Sequence, residues 1–536
     1  MNKMIISKLG DIDVKIELKS FKGFEYYIEG VIFSEESEDE KKTLEFIIDF
    51  YNKFGKIPFE KLYGGFILFL KNRINEEIII FTDNSNMRTL YYSNAFVSTK
   101  FLEIVQKEKF NELDLEGVAQ YLMFGEIYLN KTLFKNINNI KNTEYIIIKN
   151  GKISINNKEI KNIDSSNKKV RFDSFFDKIS KATNDKKITM DLTGGYDSRL
   201  VFSMLKDKGL DIKLFISGKK DSKDVLIAKK ISKITNYDID FFQVEKRKLN
   251  EKNLWELFEF GETIYNLKSS YRIKSFADFR KNKGYDLRIT GDGGVLYKDW
   301  WWIQDFPFYN KRNVDVEKFY KQRILLTSIN RTLFTDSVKD FMHKAENNIK
   351  NNIKKLKKET NTKSYDFFYF NLKGNLISKA NNCFSKYIPI YSPLWEKELV
   401  SFSYNLKRKD RFFYNFIRKM ITKNAPELSK IRTEYEMNAS DKFFDKIIDF
   451  YFFVKQYFVK AFRYFKRRVL NKNYKSDVDI ENFYDDIRKL DILDKAIEFF
   501  KKNEFLKESV KKEDLSDDLI DRILNIYMVI KYGGKK

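Results

Sequence analysis

The chain has 536 residues and carries 101 Lys+Arg against 77 Asp+Glu, a formal net charge of +24. That length allows several domains around large cores. Its single cysteine, Cys383, and single histidine, His343, exclude a disulfide framework, a Cys/His zinc cluster and a Cys–His nucleophile pair.

A basic excess can mark a polyanion ligand. Here acidic residues are interspersed throughout, and Lys, Asn and Ile are abundant everywhere, so no nucleic acid is expected. The opening MNKMIISKLGDIDV breaks its apolar run too early for a signal peptide, and no run of ~18 apolar residues occurs. The expectation is a cytoplasmic protein, at most peripheral to a membrane.

Residues 1–160 read as β-rich. GGFILFLKNRINEEIIIFTDNSNMRTLYYS gives strand, turn, strand, turn, strand, and TEYIIIKNGKISINN gives a hairpin about Asn150-Gly151. Lys161–Lys169, KNIDSSNKK, has the composition of a linker. Strands at Ile188–Leu192, Ile212–Ile216, Ile239–Val244 and Leu287–Thr290 then alternate with helices, which predicts a parallel sheet covered on both faces. From Ser440 onward the pattern is helical. Three domains are expected, at 1–160, 170–440 and 441–536.

The stretch ITMDLTGGYDSRLVFSML carries the chemistry. A β-branched run ends in Thr193-Gly194-Gly195-Tyr196-Asp197-Ser198 and a helix follows at once. Glycines let a ligand approach the backbone, and successive amides at a helix start bind anions. Thr193 and Ser198 add hydroxyls, and Asp197 can hold a magnesium ion bridging phosphates. No GxxxxGK[ST] occurs, so this is not the kinase-type phosphate loop.

The corner resembles the SGGxDS signature of the PP-loop ATP pyrophosphatases, with Thr193 in place of the first serine. LFISGKKDSKDVLIAKKISK and LRITGDGGVLY are similar to the adenine-side strand and the SGxGxDE loop of the asparagine synthetase-like family. IPIYSPLWEKELVSFSYNL is similar to that family's VPFLD…LP segment. In the first 160 residues, LYGGFILFL…NSNMRTLYYS and YLMFGEIYLNKTLFKNINNI resemble the class II glutamine amidotransferase half of the same enzymes. The resemblance implies an α/β protein with an N-terminal α+β Ntn-type sandwich. A central parallel-sheet PP-loop domain of the adenine nucleotide α-hydrolase-like kind and a helical C-terminal extension would follow. It implies an ATP- and Mg2+-dependent, AMP-forming ligase that adenylates a small-molecule or glycan carboxylate and passes it to ammonia or an amine. Leu192, Thr193, Gly194, Gly195, Asp197, Ser198, Ser217, Gly218, Thr290 and Gly291 would contact the nucleotide, and Asp197 the metal.

Three departures matter. Glutaminases of this class use an N-terminal cysteine, whereas this sequence opens Met1-Asn2-Lys3, so the glutaminase half is expected to be inactive. The second loop has Val295-Leu296 where relatives have Asp-Glu. That leaves Asp292 as base, as metal ligand or as an Asx-turn residue, with Asp299 a substitute ligand. After APELSK, relatives place a catalytic lysine, whereas IRTEYEM offers Arg432 as the substitute, or as a surface residue, and puts Glu434 near the expected position. Arg199 reads as a solvent-facing ion-pair residue in preference to a phosphate contact. A non-catalytic scaffold with a degenerate site is the alternative function.

DKFFDKIIDFYFFVKQYFVKAFRYFKRRVL, within 441–470, draws as one helix. Phe444, Ile447, Tyr451, Phe458, Phe462, Phe465 and Val469 form a stripe beside Lys455, Lys460, Arg463, Lys466 and Arg467. Packing on its own domain is the commoner arrangement and the one favoured. The alternatives are an anionic membrane surface or a partner groove.

Overall fold

The computed structural model describes all residues except 1–3, 8–11, 15–17, 109–111, 165–170, 246–247, 306–307, 327–328, 470–481 and 535–536. Two antiparallel sheets build the N-terminal part. One has six strands in the order Lys152–Asn157, Glu144–Lys149, Ile78–Thr82, Leu62–Asn72, Phe24–Ser34 and Lys19–Phe21. The other has five, in the order Ile12–Val14, Met4–Ser7, Phe96–Ser98, Tyr91–Tyr92 and Asn138–Asn139.

Apolar side chains from both sheets, among them Ile67, Phe69, Ile80, Val97 and Ile146, share one buried layer. On the other face of the larger sheet, helix Glu40–Phe54 seats Leu44, Ile47 and Ile48 against Phe66, Leu68 and Phe81. The hairpin turns where the sequence expects it. Asn150 and Gly151 both take positive φ, 50° and 70°, the two-residue turn whose twist matches its flanking strands.

The second sheet system is parallel throughout, in the order Ile239–Phe242, Ile212–Ser217, Ile188–Asp191, Leu287–Ile289 and Ile390–Tyr391. Its strands are short and most of their buried positions are apolar because helices cover them, as with Asp197–Asp207, whose Leu200, Val201 and Met204 are fully buried.

The helices after Ser440 divide between two places. Phe443–Val469 stays beside the parallel sheet, with Phe453 in its core. Asp491–Lys502 and Asp517–Gly533 return to the N-terminal part and share a core with Phe101–Lys107, Leu115–Phe124 and Glu251–Gly261. The expected linker is partly packed: Ile163 is buried and its carbonyl accepts from Ser401. Residues 165–169 of that stretch, like Met1-Asn2-Lys3, lie outside the described residues.

Candidate functional site

Strand Ile188–Asp191 has Ile212–Ser217 on one side and Leu287–Ile289 on the other, all parallel. The corner Thr193–Ser198, the turn Ser217-Gly218 and the loop Thr290–Gly294 therefore leave the same edge, the carboxyl ends, where open parallel sheets bind ligands. Corner and loop touch. A Cβ on Gly291 would lie 2.6 Å from the Ser198 amide nitrogen, and one on Gly294 only 2.3 Å from Asp197 Cγ. Only glycine at both positions permits this approach.

The corner amides already have acceptors. Thr193 N–H donates to Ser198 Oγ at 3.0 Å and Gly195 N–H to Thr193 Oγ1 at 3.3 Å. Gly194 N–H donates to Asp224 Oδ1 at 2.7 Å, from the first turn of helix Lys223–Thr235. The anion that this amide holds is thus the chain's own Asp224 carboxylate. Thr193 is exposed and Gly195 half-buried, so the corner opens to solvent on that side. Glu434 borders it: its amide donates to Gly194 O at 3.2 Å, and its Oε1 would lie 3.5 Å from a Cβ on Gly195. The place expected to carry a lysine thus sets an acid against the corner.

Asp197 carries a partner that the sequence did not reveal. Lys298 Nζ donates to both carboxylate oxygens, at 2.9 and 2.6 Å. Nothing in a linear motif pairs these residues; the glycine contact between the loops does. Asp292 accepts from the Thr290 hydroxyl at 3.0 Å and returns its amide to the same oxygen at 3.3 Å. Solvent reaches Asp292, yet protein walls it closely enough that lost hydration raises its pKa, against the pull of Arg288 and Thr290. Thr290 is buried and hydrogen-bonded to Ser392 at 2.9 Å.

Below the corner, Asp191 pairs with both Arg280 and Arg288, which hold its carboxyl below the usual range against its burial. Leu192 is buried and its amide donates to Phe215 O at 3.0 Å. Ser217 and Gly218 are half-buried on the neighbouring strand end.

Arg199 meets neither sequence expectation. It is fully buried and donates to the carbonyls of Leu428, Ile431, Gly194 and Arg432. It is a brace that ties the segment after Pro426 to the corner. Arg432 is exposed, its guanidinium 5.6 Å from the Phe452 ring centroid. Asp299 is buried within hydrogen-bonding reach of Tyr309. Among the described residues, no three or more His, Cys, Asp or Glu gather to hold a metal unaided.

The two-sheet part carries a separate signature. Residues 29–159 match a glutamine amidotransferase domain. No curated protein matches the chain. The amidotransferase-type domain meets the parallel-sheet part through Glu396, whose Oε1 accepts from Gly64 N–H at 2.8 Å and from Tyr391 OH at 2.8 Å. Burial pushes the Glu396 carboxyl up to about 8. Beside it, Lys397 pairs with Glu60 at 3.0 Å, and its amide donates to Ser85 at 2.8 Å. The chain's one cysteine, Cys383, is buried, and burial pushes its thiol up to about 12, far from the thiolate a nucleophile needs.

Proposed function

We propose that this chain is an ATP-dependent, AMP-forming carbon–nitrogen ligase that joins a carboxylate to ammonia or an amine without hydrolysing glutamine. The observation that carries this reading is the meeting of two glycine loops at the carboxyl ends of adjacent parallel strands, with Asp197, Lys298 and Asp292 around the junction. ATP with magnesium would supply the adenylyl group that activates the acid.

The Thr193 and Ser198 hydroxyls suit phosphate oxygens, and the Gly194 amide would join them where a phosphate oxygen displaces the Asp224 carboxylate. A magnesium ion arriving with phosphates needs only one or two protein carboxylates, which Asp197 can supply. Lys298 adds positive charge where phosphate charge would collect. Asp292, with its raised pKa, would take a proton from an incoming amine.

The test is pyrophosphate release with ATP, magnesium and a panel of carboxylic acids. Turnover that persists in Asp197→Ala would reject the assignment. A second reading, a non-catalytic binding or scaffold protein, is favoured by the Asp224 carboxylate on the Gly194 amide. Absence of ATP·Mg binding by calorimetry in both the wild type and Asp224→Ala would select it.

The long helix Phe443–Val469 supports a peripheral location. Asp449, Phe453 and Gln456 bury one side, while Phe443, Phe444, Ile447, Ile448, Phe450, Tyr451, Phe458, Val459 and Phe462 are 41–79% exposed. Packing on its own domain therefore accounts for one side only. An exposed apolar face of this length, on a helix whose sequence carries five further lysines and arginines from Lys455 to Arg467, matches an anionic lipid surface. Among the described residues no helix is long and apolar enough to cross a membrane.

A further inference from the structure

A cavity of about 470 Å³ lies between the amidotransferase-type domain and the parallel-sheet part. Its walls are largely aromatic and apolar, with Tyr91, Tyr121, Trp301 and Tyr369 among them. Its charges do not cancel. Glu126 is neutralised by Lys373 at 2.8 Å and Glu262 by Lys386 at 2.7 Å. Lys131, on the rim, pairs with Asp114 and Glu116.

Two cations remain. Lys379 is 2% exposed, and its ammonium has one long hydrogen bond, 3.4 Å to Ile127 O. Arg323 donates to the carbonyls of Trp300 and Trp301 at 3.2 and 3.5 Å. Neither has a carboxylate within ion-pairing distance among the described residues. A buried cation with unused donors is costly unless an anion joins it.

The cavity wall is also strained. Glu262 and Thr263 hold left-handed backbone, φ 48° and 70°, and a β-branched residue pays for that conformation. Tyr369 links the cavity to the candidate site. Its ring packs edge-on against Trp395 at 5.4 Å, and Trp395 in turn lies beneath Gly293. The charges of Asp292 and Asp197 reach the Tyr369 hydroxyl and help burial raise its pKa.

We propose that this cavity binds a small organic anion with an aromatic or extended apolar body, its negative charge balanced by Lys379 and Arg323. That the anion is the acid to be activated, or the acceptor, rests on the ligase reading; the binding does not. Burial, partly opposed by the Glu126 carboxylate in the same wall, brings the Lys379 ammonium down to about 8, which makes its amine selectively addressable.

Pyridoxal 5′-phosphate, an anionic aromatic aldehyde, is the probe for the full-length protein. Its aldehyde carbon condenses with the free amine and water leaves. Borohydride then adds hydride to the imine carbon, fixing the adduct for peptide mapping. Lys379 is expected to be labelled with a pH midpoint near 8, against the ordinary 10.5. Excess 1-naphthoate should protect it, Arg323→Gln should slow labelling about tenfold, and Ala380→Trp, which fills the cavity, should block it.

Lys379 left unlabelled while surface lysines react would overturn the proposal. Labelling indifferent to naphthoate and to Arg323→Gln would do the same. Labelling that survives alongside a failed ATP titration would leave the anion site standing and remove only the ligase reading.

Discussion

Asp449→Ala should detach the long helix from the body. The Asp449 carboxylate is buried, pairs with Arg418 at 2.8 Å and accepts from the Asn438 amide at 3.0 and 3.1 Å. Arg418 is fully buried and also donates to Phe413 O, Ser440 O and the Tyr196 hydroxyl. Removing one partner of such a pair strands the other charge, at a cost of about 3–5 kcal/mol. That corresponds to an exchange rate for the amides of Phe443–Val469 between about a hundredfold and a few thousandfold faster, if they exchange by local opening. Hydrogen exchange read by mass spectrometry measures it. Arg418→Met with Asp449→Leu removes both charges and should recover most of the protection, since apolar replacement of a whole buried pair is often neutral. Unchanged exchange in Asp449→Ala, or a double variant as labile as the sum of its parts, would refute this account. Tyr196 sits within the corner and stacks on Tyr414 at 4.4 Å, so the same substitution should also loosen the corner's own amides.

Asp224→Ala frees the Gly194 amide and removes one negative charge; ATP·Mg affinity measured by calorimetry should rise about tenfold or more, and an unchanged weak affinity counts against a phosphate site. Lys298→Met should weaken the same binding by a similar factor while Lys298→Arg retains most of it; equal affinity in all three would remove Lys298 from the site. Glu396 keeps its proton to about pH 8 when folded and loses it near the ordinary 4.5 when unfolded. The folded state binds more protons across that window, so stability should fall as pH rises through it. Glu396→Gln should flatten the urea-midpoint profile between pH 5 and 8, and an unaltered slope would contradict the burial argument. On vesicles, Phe444, Ile447, Tyr451 and Phe458 are each more than half exposed, worth about 1 kcal/mol apiece on insertion. Changing all four to Ser should lower partitioning onto phosphatidylglycerol-containing vesicles about a thousandfold, and wild-type protein that fails to float with them defeats the membrane reading.

The parallel sheet was legible because its strands are short, mainly apolar segments separated by helical periodicity, a local signal. The hairpin at Asn150-Gly151 was legible for the same reason: two adjacent residues with positive φ need that chemistry. The corner's position at a strand end was local too. What occupies it was not. Asp224 reaches Gly194 from the next helix, Glu434 from a segment far along the chain, and Lys298 reaches Asp197 only because Gly291 and Gly294 let two loops touch. Arg199 shows the limit most plainly. A charged residue in the first turn of an amphipathic helix reads as solvent-facing, and only the three carbonyls brought around it by the chain after Pro426, with Gly194 O from the corner, satisfy a buried guanidinium.

The same distance problem bears on how the corner and the long helix relate. Tyr196 lies between Gly195 and Asp197. Its hydroxyl donates to Asn438 O at 2.7 Å and accepts from Arg418, and Arg418 is held by Asp449 on the long helix. The segment between carries Glu434 across the corner and pairs Glu436 with Lys223, the residue before Asp224. One continuous set of hydrogen bonds therefore fixes the acids that cap the corner and the root of the exposed helix. If a lipid surface draws on that helix, the strain falls first on Asp449 and Arg418, and through Tyr196 on the corner's backbone. Nucleotide affinity measured with and without anionic vesicles should then differ in wild-type protein and become equal in the Arg418→Met, Asp449→Leu variant. A vesicle effect of the same size in both would mean that the two ends of this network act independently.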